Sequence, residues 1–401
     1  MKKLDLQYFI EQHSDWESIL QVSPYCFQIT RDKACGRNLI IFKYNQIDTK
    51  WDKAGHIAAE ARGIVLDEDT LEVVNYGFDK FFNSTEPYAD KIDAQSMRST
   101  VKIDGSIIKV RKFEDGQLLI STNGTINAYN APVAEQVGCS FKSFGSIVED
   151  VLVRKFGSVN AFKDRLDADK TYIFEMVSPW TRVVTPFHEN DMYLIGCRWI
   201  DPDKDFAEIP FWECSLKSMF KTPDILDFAS IDKCLEYAQT LDWTSEGYVV
   251  MDKHFHRVKV KNASWLAVHH LCENHTMSYR RAVEIVRSNE TDEVVGYFPE
   301  FESALLDVKN RYWKKVADVS EAKTRLDEFI AANGWDTQPR LIEAGGQKRK
   351  DIAIWITKNF PIPGLAFGLI DKKIESVKKW FDEVPAEKLV QMLGYKERKE
   401  G

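Results

Sequence analysis

Residues Thr100–Val110, TVKIDGSIIKV, place Lys102, Asp104, Gly105 and Ser106 at the head of an apolar, β-branched run. A lysine is a nucleophile only as the neutral amine, and its pKa falls when it is desolvated or crowded by other cations. Lys259 and Lys261, in HRVKVK, share one face of a strand because side chains alternate with a period of two. Set against Lys102, they would disfavour its proton and bind phosphate oxygens. Three carboxylates on other segments complete a candidate site: Asp104, Glu175 in YIFEMVSP and Glu246 in SEGYVV. Carboxylates at strand ends suit Mg²⁺ or a ribose hydroxyl. Gly105 and Gly247 let backbone approach a ligand closely.

The elements that must position these residues are short β-rich runs separated by turns, from LIIFKYN through GYVVMDKHFHRVKVK. Glu114–Gln117, EDGQ, joins two such runs and predicts a hairpin. Lys102 then sits on the first hairpin strand or just before it. Apolar residues at three- and four-residue spacing predict helices over Ser146–Leu166 and Ile231–Leu241. The expected class is α+β with a mainly antiparallel sheet over residues 1–261. Beyond Lys261 segments such as SYRRAVEIVRSN and SEAKTRLDEFIAANG carry helix start and stop signals, which predicts an all-helical C-terminal domain over 262–401.

A chain of 401 residues is long enough for two domains. The net charge is −8, yet Lys and Arg balance Asp and Glu, 22 against 22, from Asn262 onward. The total charge therefore neither demands nor excludes a nucleic-acid partner, and local clustering decides. GQKRKD (346–351) and DKKIESVKKW (371–380), with Trp355 and Trp380 nearby, are either solvated helix faces or phosphate contacts. Seven cysteines without a CxxC pair, in a chain with no apolar leader, predict reduced thiols in a cytoplasmic protein. No run approaches the roughly 20 apolar residues of a membrane span, so no membrane partner is expected. HHLCENH (269–275) places His and Cys a turn apart, but no second ligand pair accompanies it, so helix packing or a face turned to a nucleic acid is preferred to zinc.

Alone, a KxDG tetrapeptide also fits a surface lysine at a hairpin edge, and each glutamate also fits a structural ion pair. Order is more informative. The series KIDGS (102–106), FEMVSP (174–179), EGYVV (246–250) and KVK (259–261) resembles nucleotidyltransferase motifs I, III or IIIa, IV and V of the covalent ligases and RNA-capping enzymes. ARGIVLD (61–67), DKFFN (79–83), IFKYN (41–45), SPWTRVV (178–184) and KNASWLAVHH (261–270) narrow the resemblance to the bacteriophage RNA ligase 1 family, the tRNA-repair type.

That resemblance implies ATP and Mg²⁺ as cofactors and an ATP-dependent RNA ligase that passes through a lysyl-AMP. Lys102 would be the nucleophile, with Asp104, Lys259 and Lys261 in the catalytic group. Glu175 would hold the ribose, Glu246 would sit near the metal, and both are candidate metal ligands. Arg62 would bind phosphates; Lys80 and Phe82 would build the nucleotide pocket with Gly105 and Gly247; Tyr44 would lie near the phosphates. Phe82 either stacks on the base or fills the core. The implied partners are RNA with 5′-phosphate and 3′-hydroxyl ends, cleaved tRNA among them, and an end-healing kinase or phosphatase. One position departs from the pattern: STNGT carries Asn123 where the family has a basic residue before a glycine. A DNA ligase or capping enzyme would share motifs I, IV and V, but DNA ligases place Arg where Ile107 stands and follow motif V with a β-rich domain. A degenerate nucleotide or RNA sensor would have lost some of the lysines and glutamates.

Overall fold

The structure is a computed structural model that describes residues 2–271, 277–289, 291–335, 346–371 and 373–395. Two compact units divide the chain, Met1–His275 and Thr276–Gly401. The first is α+β and runs past Lys261 to take in the helix Ala263–Leu271.

Strands β1 (Gln28–Ala34), β2 (Arg37–Lys43), β3 (Arg62–Asp67) and β4 (Val73–Asn75) pair antiparallel in sequence order. Leu39–Phe42 of β2 and Gly63–Leu66 of β3 are buried without alternation. A continuous apolar run, rather than a period of two, marks such strands in the sequence. Next come β5 (Phe82–Asn83) and β6 (Arg98–Val101), then β7 (Ser106–Lys112), β8 (Leu118–Ser121), β9 (Lys170–Val177), β10 (Asp191–Trp199) and β11 (Glu208–Pro210). Strands β7 to β11 form a second sheet ordered β11-β10-β9-β7-β8. The third sheet unites β5 and β6 with β12 (Ile225–Leu226), β13 (Gly247–Met251) and β14 (Arg257–Lys261), in the order β12-β6-β13-β14-β5. The strand pairs are antiparallel except β5 with β14.

The hairpin at Glu114–Gln117 forms as the turn residues require: Lys112 pairs with Leu118, and Gly116 takes φ +80°. Lys102 is not on it. The chain leaves the third sheet at Val101 and enters the second at Ser106, so Lys102 lies in the crossing between two sheets. Phe78, Phe81 and Ile173 are buried with Ile107, Ile195 and Val249 packed on them, and these side chains fill the space between the two sheets.

The helical pattern over Ser146–Leu166 resolves into two helices. Ser143 caps Phe144–Phe156, Gly157 ends it at φ +79°, and Ser158 caps Val159–Lys163. The apolar spacing continues across a left-handed glycine, which is why the pattern reads as one helix. The helix Ile231–Ala238 ends before Leu241.

In the second unit every described regular element is helical. Its longest helix, Glu302–Ala332, buries Leu305, Val308, Tyr312, Val316, Val319, Ala322 and Leu326. Their steps of three and four make one apolar stripe. Lys378 pairs with Asp382 inside the helix Val377–Glu383 and Lys379 reaches back to Glu375 ahead of it, whereas Lys348, Arg349 and Lys350 have no ion pair among the described residues. Among the described residues no helix is long and apolar enough to cross a membrane.

Candidate active site

A cavity of about 320 Å³ opens beside the crossing, lined by Arg62, Lys102, Gly105, Glu175, Glu246, Lys259 and Lys261. Seven predicted residues thus converge from five places in the chain. β13 and β14 pair Gly247 with Lys261 and Val249 with Lys259, which sets the two lysines on one face. β9 delivers Glu175, opposite Ile107 of β7. The backbone N–H of Lys102 donates to the Gly247 carbonyl at 2.8 Å. Its Nζ donates to Glu246 Oε2 at 2.6 Å, and Lys261 Nζ lies 3.3 Å from Glu246 Oε1.

Burial alone would lower the Lys102 pKa, but Glu246, Glu175 and Asp104 together hold it above the ordinary value. The sequence argument assigned the depressed amine to Lys102; here it belongs to Lys259. Desolvation pushes Lys259 down to about 6, helped by Arg62, Lys80, Lys102 and Lys261. Glu175 is pushed up to about 7, chiefly by burial, with Glu246 and Asp104 adding to the rise against Lys102. The difference arises because Glu246 reaches Lys102 and Lys261, while Lys259 faces cations and the Phe81 ring at 5.1 Å.

Asp104 is buried, and its Oδ2 accepts from Val184 N–H at 3.0 Å, Thr185 N–H at 2.6 Å and the Trp265 indole N–H at 3.1 Å. The carboxylate therefore ties two distant segments, SPWTRVV and KNASW, to the loop that carries Lys102. Gly105 and Gly247 are needed for a reason other than ligand approach. A Cβ on Gly105 would lie 2.4 Å from the Met176 carbonyl oxygen, and one on Gly247 2.1 Å from that of Val260.

Tyr44, Lys80 and Phe82 stand outside this lining. Lys80 Nζ sits 4.5 Å from the Phe82 ring, 5.8 Å from Trp51 and 5.9 Å from Tyr44. The Phe82 ring packs on Trp51 and Tyr88. Burial lowers the Lys80 pKa, and Arg62 and Lys261 add to that fall. From DKFFN it is Phe81 that enters the cavity, with Arg62 at 4.8 Å and Arg257 at 5.4 Å from its ring.

Arg257 was legible in the sequence one step earlier on the Lys259–Lys261 stripe; it lines the cavity and pairs with Glu208 at 2.8 Å. Lys109 had no such signal. It is fully buried on β7, pushed down to about 7 by desolvation and by Arg62, and its Nζ donates to the Gly63 carbonyl. Asn123 does line the cavity. The residues of HHLCENH lie outside the described side chains.

A sequence profile of the RNA ligase family matches residues 60–266, just over half of the chain. The chain belongs to the RNA ligase family. The family match takes in the predicted cavity residues from Arg62 to Lys261 and leaves Tyr44 upstream. An RNA ligase of Rhodothermus phage RM378 is 24% identical over 328 residues, 69% of this chain and 73% of the phage protein. A candidate bifunctional polynucleotide kinase/RNA ligase of Autographa californica nuclear polyhedrosis virus is 25% identical over 323 residues, 74% of this chain. This chain spans only 44% of that viral protein's length. Among solved structures, an archaeal ATP-dependent RNA ligase aligns over 89% of this chain and 83% of its own with 12% identity and a TM-score of 0.41. A Naegleria gruberi RNA ligase variant with ATP and Mn aligns over 67% and 83%, with 13% identity and a TM-score of 0.33.

Proposed function

We propose that this RNA ligase family member is an ATP-dependent enzyme that joins RNA 5′-phosphate and 3′-hydroxyl ends through a lysyl-AMP, with cleaved tRNA as a substrate. The observation that carries the reading is the Lys102 amine, 2.6 Å from Glu246 in a cavity walled by Arg62, Lys259 and Lys261.

In the first step the neutral Lys102 amine attacks the α-phosphorus of ATP. An N–P bond forms, the bond from that phosphorus to the bridging oxygen breaks, and pyrophosphate and the amine proton leave. In the second, a 5′-phosphate oxygen of RNA attacks the same phosphorus and Lys102 is released. In the third, a 3′-hydroxyl attacks the RNA phosphorus, AMP departs and the hydroxyl proton is lost. Such transfers ask the protein mainly for positioning and charge stabilisation. Lys259, Lys261 and Arg62 offer the charge. Lys80 and Phe82 are assigned to the nucleotide pocket and Tyr44 to the neighbourhood of the phosphates by the resemblance, since all three stand outside the cavity lining. Asp104 acts by holding the Lys102 loop.

Glu175 and Glu246 fit a divalent cation, because both carboxylates are buried in one cavity, where burial and then the neighbouring acids Glu246 and Asp104 push Glu175 up. Mg²⁺ held there would neutralise phosphate charge and loosen the ion pair that keeps Lys102 protonated. The helical unit, in which Lys348, Arg349 and Lys350 have no ion pair among the described residues, is the proposed source of RNA choice, and an end-healing kinase or phosphatase would supply the ends.

The test loads full-length protein with ATP labelled on the α-phosphate in Mg²⁺, then adds single-stranded 5′-phosphorylated RNA or DNA. Label joining the wild type, absent from Lys102→Ala and passing mainly to RNA, supports the proposal. Passage mainly to DNA, or an adduct in Lys102→Ala, overturns it.

A further inference from the structure

Three backbone segments meet at the cavity wall where Asn123 stands. β3 opens with Arg62 and Gly63, and a Cβ on Gly63 would lie 2.6 Å from Asn123 Cα, so the strand is flush against the turn that follows β8. Gly63 takes φ +81° at a register shift between β2 and β3, a bulge that leaves Arg62 directly opposite Lys43. Bulges of this kind re-aim side chains beside active sites. Opposed residues present their side chains on one face, so Lys43 accompanies Arg62.

The Lys43 amine reaches the same turn. A Cβ on Gly124 would lie 3.7 Å from Lys43 Nζ, with no other atom of the surrounding residues nearer. Lys43 is half-buried, and among the described residues no carboxylate lies within 4 Å of its amine. This corner therefore holds Lys43 and Arg62 around a neutral Asn123, with Lys109 behind Gly63. Lys43 itself stands outside the cavity lining, against the turn that carries Asn123. Arg62 has Glu175 and Asp79 to attract it, whereas the Lys43 amine has no carboxylate partner among the described residues, so an incoming anion would supply one.

We propose that Lys43 is a phosphate-contacting residue of this enzyme, supplying from the end of β2 the charge that Asn123 lacks. The inference rests on the proposed function. Its ligand is a phosphate oxygen, either of the ATP polyphosphate or of the RNA 5′ end.

The test compares wild type with Lys43→Ala, Lys43→Arg and the double variant Lys43→Ala/Asn123→Lys, all full length. One arm measures adduct formation against ATP concentration, the second the sealing of pre-adenylylated RNA without ATP, and the third direct binding of tripolyphosphate and of 5′-phosphorylated RNA. Lys43→Ala is expected to lose about tenfold or more in one arm, the worth of one charge-assisted hydrogen bond. Lys43→Arg and the double variant are expected to recover most of that loss. A raised KM for ATP alone assigns the polyphosphate; a loss on pre-adenylylated RNA alone assigns the RNA phosphate. Wild-type values for Lys43→Ala throughout overturn the inference, as does an equal loss in all three variants with a lowered melting temperature. If the wild type forms no adduct and seals nothing, the proposed function fails, and unchanged binding in the third arm separately decides against Lys43.

Discussion

Lys102 Nζ and Glu246 Oε2 are 2.6 Å apart, and the second oxygen of the same carboxylate lies 3.3 Å from Lys261 Nζ. One buried carboxylate thus holds two of the amines on which the proposed chemistry rests. Lys102 is stored as the ammonium, not as the amine.

Glu246→Gln removes that counter-charge, so the Lys102 amine is expected to titrate at lower pH. The midpoint can be followed by modification of Lys102 with an amine reagent across pH, read by mass spectrometry. Adduct formation with ATP should nonetheless fall, by about 100-fold, because the group proposed to hold the divalent cation and to position the Lys102 and Lys261 amines is lost. An unmoved midpoint would show that Glu246 does not govern the proton.

Lys259, pushed down to about 6, is neutral in the empty site at pH 7. A phosphate favours its charged form, so metal-free ATP binding should tighten as pH falls through about 6. Lys259→Met should bind about tenfold more weakly at low pH and show a flatter profile, since a charge-assisted contact is missing. Calorimetry of both proteins in EDTA decides it, the difference between them removing the titration of ATP itself.

Asp104→Asn keeps the size of the side chain but weakens three hydrogen bonds. We expect a loss of roughly 2 kcal/mol in stability and faster amide exchange at Val184 and Thr185. Slow exchange there in the variant would refute the tie between the Lys102 loop and the Val184–Thr185 segment.

Lys109 is buried and pushed down to about 7 from its ordinary 10.5. Between those values the unfolded chain binds more protons than the folded one, so this group makes stability rise with pH from about 7 to 10.5. Lys109→Met lacks that slope. Relative to wild type it should be more favourable at pH 6 than at pH 9, by on the order of 2 kcal/mol. Urea melts at the two pH values measure the difference.

The residues that chemistry singles out were legible because their motifs keep order across separate strands. Lys102, Glu175, Glu246, Lys259 and Lys261 do line one cavity. What stayed hidden was direction. In DKFFN both phenylalanines suit a strand, and only the short parallel pairing of β5 with β14 settles that Phe81 faces the cavity and Phe82 does not. The pKa of Lys102 was misjudged because sequence spacing shows which lysines share a face, but not that Glu246 reaches two of them. Lys109 was invisible for a plainer reason: in an apolar run a lysine looks like an exposed edge, and nothing local reveals that a glycine carbonyl accepts its proton.

The crossing that carries Lys102 leaves a strand of one sheet and enters a strand of another, with Lys261 on the first sheet and Glu175 on the second. The third sheet by itself gathers Lys102, Glu246, Lys259 and Lys261, and only the second sheet adds Glu175 to them. Under the proposed function, a chain in which the third sheet alone had formed would hold the amine without Glu175. Reactivity of Lys102 toward ATP would then report that the two sheets have come together.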